Sequence, residues 1–277
     1  MTAVILGIMF FWAGRPASAQ VAMLPVLPPT QLAITIPRWQ VLMLGRKIWH
    51  NECRGTYSGL TSWNQGEEFA SLGIGHFIWY PEGRKGPFQE SFPALLEYLE
   101  RHGAVLPDWL IVSVGSPWAS RKEFLADFRS ERMRDLRRIL SQTMPLQARF
   151  IVARLEAALP RILAGLPVTE QARVRFQFYR MADQSAGVYA LVDYVNFKGE
   201  GLKPQEHYGG ESWGLLQVLQ GMTGSVPGEA ALDEFAASAD LVLTRRVLNS
   251  PPERHEVRWL PGWRQRLRTY RAQTIDS

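Results

Sequence analysis

Between Arg54 and Tyr80 five glycines, Gly55, Gly59, Gly66, Gly73 and Gly75, interrupt the chain before it enters Phe77-Ile78-Trp79-Tyr80. Glycine inside a helix costs about 1 kcal/mol relative to alanine and is the default residue of tight turns. Consecutive aromatic and β-branched residues favour a strand. The segment therefore reads as turns and short strands. Ahead of it, Pro37 stands at a favourable first-turn position for the helix RWQVLMLGRKIWHN, whose apolar residues include Trp39, Leu42, Ile48 and Trp49.

The chain behind the segment is helical in spacing. Ser91 reads as the cap of a helix through Arg101 that Gly103 stops. Ser120 introduces one helical stretch, RKEFLADFRSERMRDLRRIL. Further helices are expected at 146–159, 169–184, 187–196, 212–222 and 229–249, with a last one from near Gly262. A hairpin region near the front and many helices behind it predict an α+β domain, predominantly α-helical.

Hydrophobic residues make up 46% of the 277 and charged residues 21%, which excludes a disordered chain and leaves ample length for a core. Residues 1–19 have the form of a secretory signal: the apolar run Ala3–Gly14 precedes Ala17-Ser18-Ala19, and the run is too short to span a bilayer. Residues 20–36 read as an extended Pro-rich arm and 37–277 as a single domain. The expected location is exported, periplasmic or secreted, with no stable membrane span once the signal is cleaved. The net charge of +5 suits an anionic partner such as the bacterial wall and is too small to specify nucleic acid. A lone cysteine, Cys53, rules out an internal disulfide.

Chemistry is concentrated around Glu52, at the end of the first helix, and the run Ser71-Leu72-Gly73-Ile74-Gly75-His76-Phe77 that follows it. Together with the preceding Trp63, this order resembles the hairpin of phage-type lysozymes, members of the lysozyme-like superfamily, in which a catalytic Glu precedes an aromatic and a Thr-Ile-Gly-x-Gly-His run. The resemblance covers about residues 37–80. It implies a lysozyme-like fold, Glu52 as the catalytic acid, and Ser71 in the place of the active-site Thr. The family's second carboxylate falls at Gln65 here, with Glu67 or Glu68 as replacements. Glu211-Ser212-Trp213-Gly214-Leu215-Leu216-Gln217 is similar to the Gly-Leu-Met-Gln run of lytic transglycosylases, and Pro261-Gly262-Trp263-Arg264-Gln265-Arg266 resembles the terminal helix of phage-type endolysins.

The implied reaction is cleavage of β-1,4 glycosidic bonds in peptidoglycan glycan strands. A carboxyl packed near Trp49 and Tyr57 is suited to donate the proton, while Ser71 orients a water. Trp63, Glu68, His76, Asn196, Tyr208 and Gln217 are the expected substrate contacts. Asn196 and Tyr208 belong to the segment from Asp193 to Glu211, read as a helix end and a Gly-rich loop forming the other cleft wall. His76 has no second His at ligand spacing, so no metal is implied, nor an organic cofactor. Two alternatives remain open: transglycosylation leaving 1,6-anhydro ends, and a catalytically silent wall-binding protein. Each proposed residue also has a structural reading: Glu52 as a solvated helix end, the acidic pair as a solvated turn, the aromatics as core.

Overall fold

The computed structural model describes residue 34, residues 37–202 and residues 207–271. The expected signal and nearly all of the Pro-rich arm lie outside the described residues. The fold is predominantly helical with a small antiparallel sheet. Helix α1 (Arg38–Cys53) follows Pro37 and buries Val41, Leu44 and Ile48, a stripe at helical spacing. Arg54 ends it in the left-handed conformation, its N–H donating to the Trp49 carbonyl.

Strands β1 (Thr61–Ser62), β2 (Ala70–Leu72) and β3 (Phe77–Trp79) form a sheet in that order, with Ser71 opposite Ser62 on one side and Ile78 on the other. The turn between β2 and β3 needs glycine at Gly73, where φ is +71° and an added Cβ would lie 2.4 Å from Gln147 Oε1. That oxygen accepts from the Ile74 N–H at 2.9 Å, tying the turn to a buried residue of helix α6 (Met144–Ala164).

Between them lie α2 (Phe92–Arg101), α3 (Asp108–Ile111), α4 (Arg121–Ala126) and α5 (Glu131–Gln142). Two local expectations change. Ser91 precedes α2 but makes no side-chain cap bond, because its hydroxyl accepts from the Ile78 N–H and anchors the sheet. The stretch after Ser120 is two helices, since Ser130 acts as a second cap and accepts from the Met133 N–H.

Helices α7 (Val168–Ala182) and α8 (Ser185–Lys198) follow α6. Every residue from Ser185 to Tyr194 is buried, which marks α8 as the central helix. Residues expected as loop and helix instead supply a second two-stranded sheet, β4 (His207–Tyr208) and β5 (Glu211–Ser212), so helix α9 starts only at Leu215 and runs to Gln220. Helices α10 (Glu229–Asn249) and α11 (Leu260–Arg271) close the chain. One contiguous apolar cluster extends from Val41 to Tyr270. Among the described residues, no helix is long and apolar enough to cross a membrane.

Candidate functional site

The end of α1 meets the β2–β3 turn. The Cys53 thiol lies 3.5 Å from the Gly73 carbonyl it donates to, and burial first, then Glu52, push that thiol up to about 12. It is therefore a packing group at neutral pH rather than a nucleophile. Glu52 points one oxygen, Oε2, toward His76 Nδ1 at 3.9 Å. His76 reaches this position with φ at +46°, a conformation that non-glycine residues seldom adopt. The other oxygen, Oε1, accepts from Arg266 Nη2 at 3.0 Å.

Arg266 comes from α11 and bridges two carboxylates. Asp193 on α8, 4% exposed, accepts from Arg266 Nε and Nη2, both at 2.7 Å. It also accepts from the hydroxyls of Tyr270 and Tyr189. Asn51 donates to Tyr189, and the Lys47 ammonium sits 3.6 Å from the centre of the Tyr189 ring. Lys47 and Asn51 are four residues apart, so they share one face of α1.

Burial opposes the Arg266 charge, but the hydrogen bonds and charge of Asp193, with Glu52 and Tyr270 adding, hold the guanidinium above its ordinary range. Burial lowers the Lys47 amine to about 8 against the pull of Asp193. Burial, then Asp193, keeps the Tyr270 hydroxyl well above its usual range, so it stays a donor.

His76 is held below its ordinary value of 6.5 by burial, with Glu52 and Glu67 pulling the other way. The unfolded chain then takes up this proton first as pH falls. Stability contributed at this position is expected to be full above pH 6.5 and to decline on acidification below it. Comparing urea midpoints of the wild type and His76→Gln across pH 5–8 checks this; parallel profiles would dismiss it.

The other expected site residues separate. Ser71 lies buried in the central strand, where its carbonyl accepts from the Ser62 hydroxyl, and no hydrogen bond joins it to Glu52. The Trp49 indole donates to the Thr56 carbonyl and the Tyr57 phenol to the Arg134 carbonyl. Trp63 is a core residue, 5% exposed, with its ring 5.9 Å from Phe124 and its indole N–H donating to the Glu67 carbonyl at 2.7 Å. Trp63→Ala is accordingly expected to lower unfolding free energy by about 3–5 kcal/mol; urea denaturation showing an unchanged midpoint would return the ring to a surface role.

Glu68 turns outward to Arg84 at 3.1 Å with 73% of its side chain exposed. Glu67 is the half-buried one, held by Asn64 Nδ2 at 3.1 Å and near enough to His76 to act on its charge. Gln217 is used locally. Its amide oxygen accepts from the Gly214 N–H at 2.9 Å and its nitrogen donates to the Gly201 carbonyl. There the two glycine backbones pass so closely that a Cβ on Gly214 would lie 2.0 Å from the Gly201 nitrogen. The Tyr208 hydroxyl donates to Glu256 Oε1 at 2.8 Å and its ring packs on Trp213, and no hydrogen bond joins it to Glu52. Asn196 is exposed in the last turn of α8, one turn beyond Asp193.

Arg266, Tyr189 and Lys47 were not singled out from sequence. The 261–266 patch pointed to the right helix but could not choose between its arginines: Arg264 pairs with Asp240 on the outer side, whereas Arg266 turns inward. A groove of about 440 Å³ between α10 and α11, lined by Asp240, Leu241, Arg264 and Arg268 among others, faces away from the Glu52 cluster. Among the described residues, no group of three His, Cys, Asp or Glu side chains is arranged to hold a metal ion. Comparison with family models, with curated proteins and with solved structures finds no match to this chain. The arrangement itself is a carboxylate with one oxygen tied by arginine and the other facing a half-buried imidazole, at a junction of helix and hairpin.

Proposed function

We propose that the protein is a lysozyme-like enzyme that cleaves β-1,4 glycosidic bonds of peptidoglycan glycan strands, with Glu52 as the proton donor. The observation that carries the reading is the meeting of Glu52 and His76 at the helix–hairpin junction, with Arg266 fixing one carboxylate oxygen and leaving the other directed at the turn. Asp193 takes two of the three hydrogen bonds that Arg266 makes to these carboxylates. The guanidinium therefore serves mainly the buried acid and holds Glu52 in place by a single bond. A carboxyl fixed through one oxygen, with the other directed at the turn, is placed for proton transfer to a leaving oxygen bound there.

Glu67 is the better-supported second carboxylate. Asn64 and the Trp63 indole hold it near the same imidazole, and a carboxylate there favours water attack over attack by the sugar's own 6-hydroxyl. Digestion of purified sacculi is the test. Soluble muropeptides with reducing ends are expected; anhydro ends would convert the reading to transglycosylation. Binding without any release would leave a silent wall-binding protein.

A further inference from the structure

A line of cation–aromatic contacts starts at the Glu52 centre and runs outward along α8 and α11. The Arg266 guanidinium lies 4.8 Å over the Phe197 ring, and Phe197 meets Trp263 edge to face at 6.3 Å. The Lys198 ammonium sits 3.6 Å from the Trp263 ring centre and 4.0 Å from that of Phe197. Arg246 follows, 5.1 Å from Trp263 and 4.1 Å from the buried Trp213. Phe197, Lys198 and Trp263 are half-buried, so they keep an open side.

Among the described residues Lys198 has no ion pair, whereas Arg266 is held by Asp193 and Glu52, and Arg246 by Glu256. Glu256 is the carboxylate that acts on Lys198, yet its oxygens already accept two hydrogen bonds from Arg246 and one from Tyr208, with Arg254 at 3.4 Å. Burial first, then the like charge of Arg246, with Arg266 adding and Glu256 opposing, holds the Lys198 amine down at about 7. Glu256 is bonded to Arg246 rather than to Lys198, so an anion at Lys198 would offset the repulsion that Arg246 exerts on it. Aromatic faces alone would suit a neutral sugar ring; the cations beside them select an acidic one.

We propose that Lys198, with the rings of Trp263 and Phe197 beside it, forms a carboxylate-binding subsite that extends the Glu52 centre and takes the acidic groups of a muramyl substrate. This rests on the glycan reading above and adds to it the part of the substrate recognised. The carboxylate has two sources on such a polymer: the lactyl group of a muramic acid whose stem has been removed, or the peptide stem itself.

Titration of the full protein followed by calorimetry and Trp fluorescence separates these cases with three probes. N-acetylglucosamine is neutral, N-acetylmuramic acid adds a free lactyl carboxylate, and muramyl dipeptide carries its carboxylate on the peptide. At least one acidic probe is expected to bind about tenfold tighter than the neutral one. Lys198→Met should remove that preference and Lys198→Arg retain most of it. Tighter binding of N-acetylmuramic acid assigns the lactyl group; tighter binding of muramyl dipeptide assigns the stem. Equal binding of all three by the wild type, no binding at all, or a preference that survives Lys198→Met overturns the subsite. A preference for acidic probes in a protein that digests no sacculi would end the cleavage reading and leave the subsite standing; digestion without the preference would do the reverse.

Discussion

Glu52→Gln is expected to abolish release of soluble muropeptides from sacculi, with turnover reduced by about 10²–10⁴-fold, the usual contribution of a positioned general acid. Glutamine keeps the size of the side chain and can still accept from Arg266 through its carbonyl, so the buried bonds between Arg266 and Asp193 remain. The unfolding midpoint should consequently stay close to that of the wild type, which separates lost chemistry from lost fold. Full activity in this variant would move the proton donor elsewhere, and the meeting of Glu52 with the hairpin would then be structural only.

Arg266→Met should produce the largest loss of stability of any single change at the site. Asp193 is buried and depends on Arg266 for its only cation-donated hydrogen bonds among the described residues; the two tyrosine hydroxyls that remain carry no charge. Removing one partner of a buried ion pair costs about 3–5 kcal/mol. For a chain of this size that corresponds to a fall in melting temperature of roughly 6–20 °C. The double variant Arg266→Met with Asp193→Asn should recover much of the loss, because the uncompensated charge is then gone. Calorimetry of the single and double variants is the check; a single variant that melts within about 2 °C of the wild type would show that solvent reaches Asp193.

The helical part of the fold was largely legible. Periodicity and caps placed α10 over Glu229–Asn249 and α2 up to Arg101 as observed, because apolar spacing along a helix is a local property. The failures also have local causes with distant origins. Ser91 has the identity of a helix cap, but a strand far from it in the pattern, at Ile78, takes its hydroxyl. Glu211 reads as the end of a loop and Ser212 as the start of a helix, and pairing with Tyr208 and His207 makes both a strand instead. Trp63 and Gln217 have the residue types of sugar contacts, and burial and a neighbouring backbone amide claim them.

The sequence by itself determined that a glycine-rich hairpin region lies between an N-terminal helix and a helical remainder, and that Glu52 and His76 belong to its two sides. Turn chemistry and helical spacing are written in neighbouring residues, so they can be read without a partner. Only the tertiary structure decided what faces Glu52. Arg266 stands 214 residues away, and its choice of Glu52 and Asp193 depends on the rotation of α11 against α8. No local pattern encodes that rotation; it follows from how the buried faces of the two helices pack.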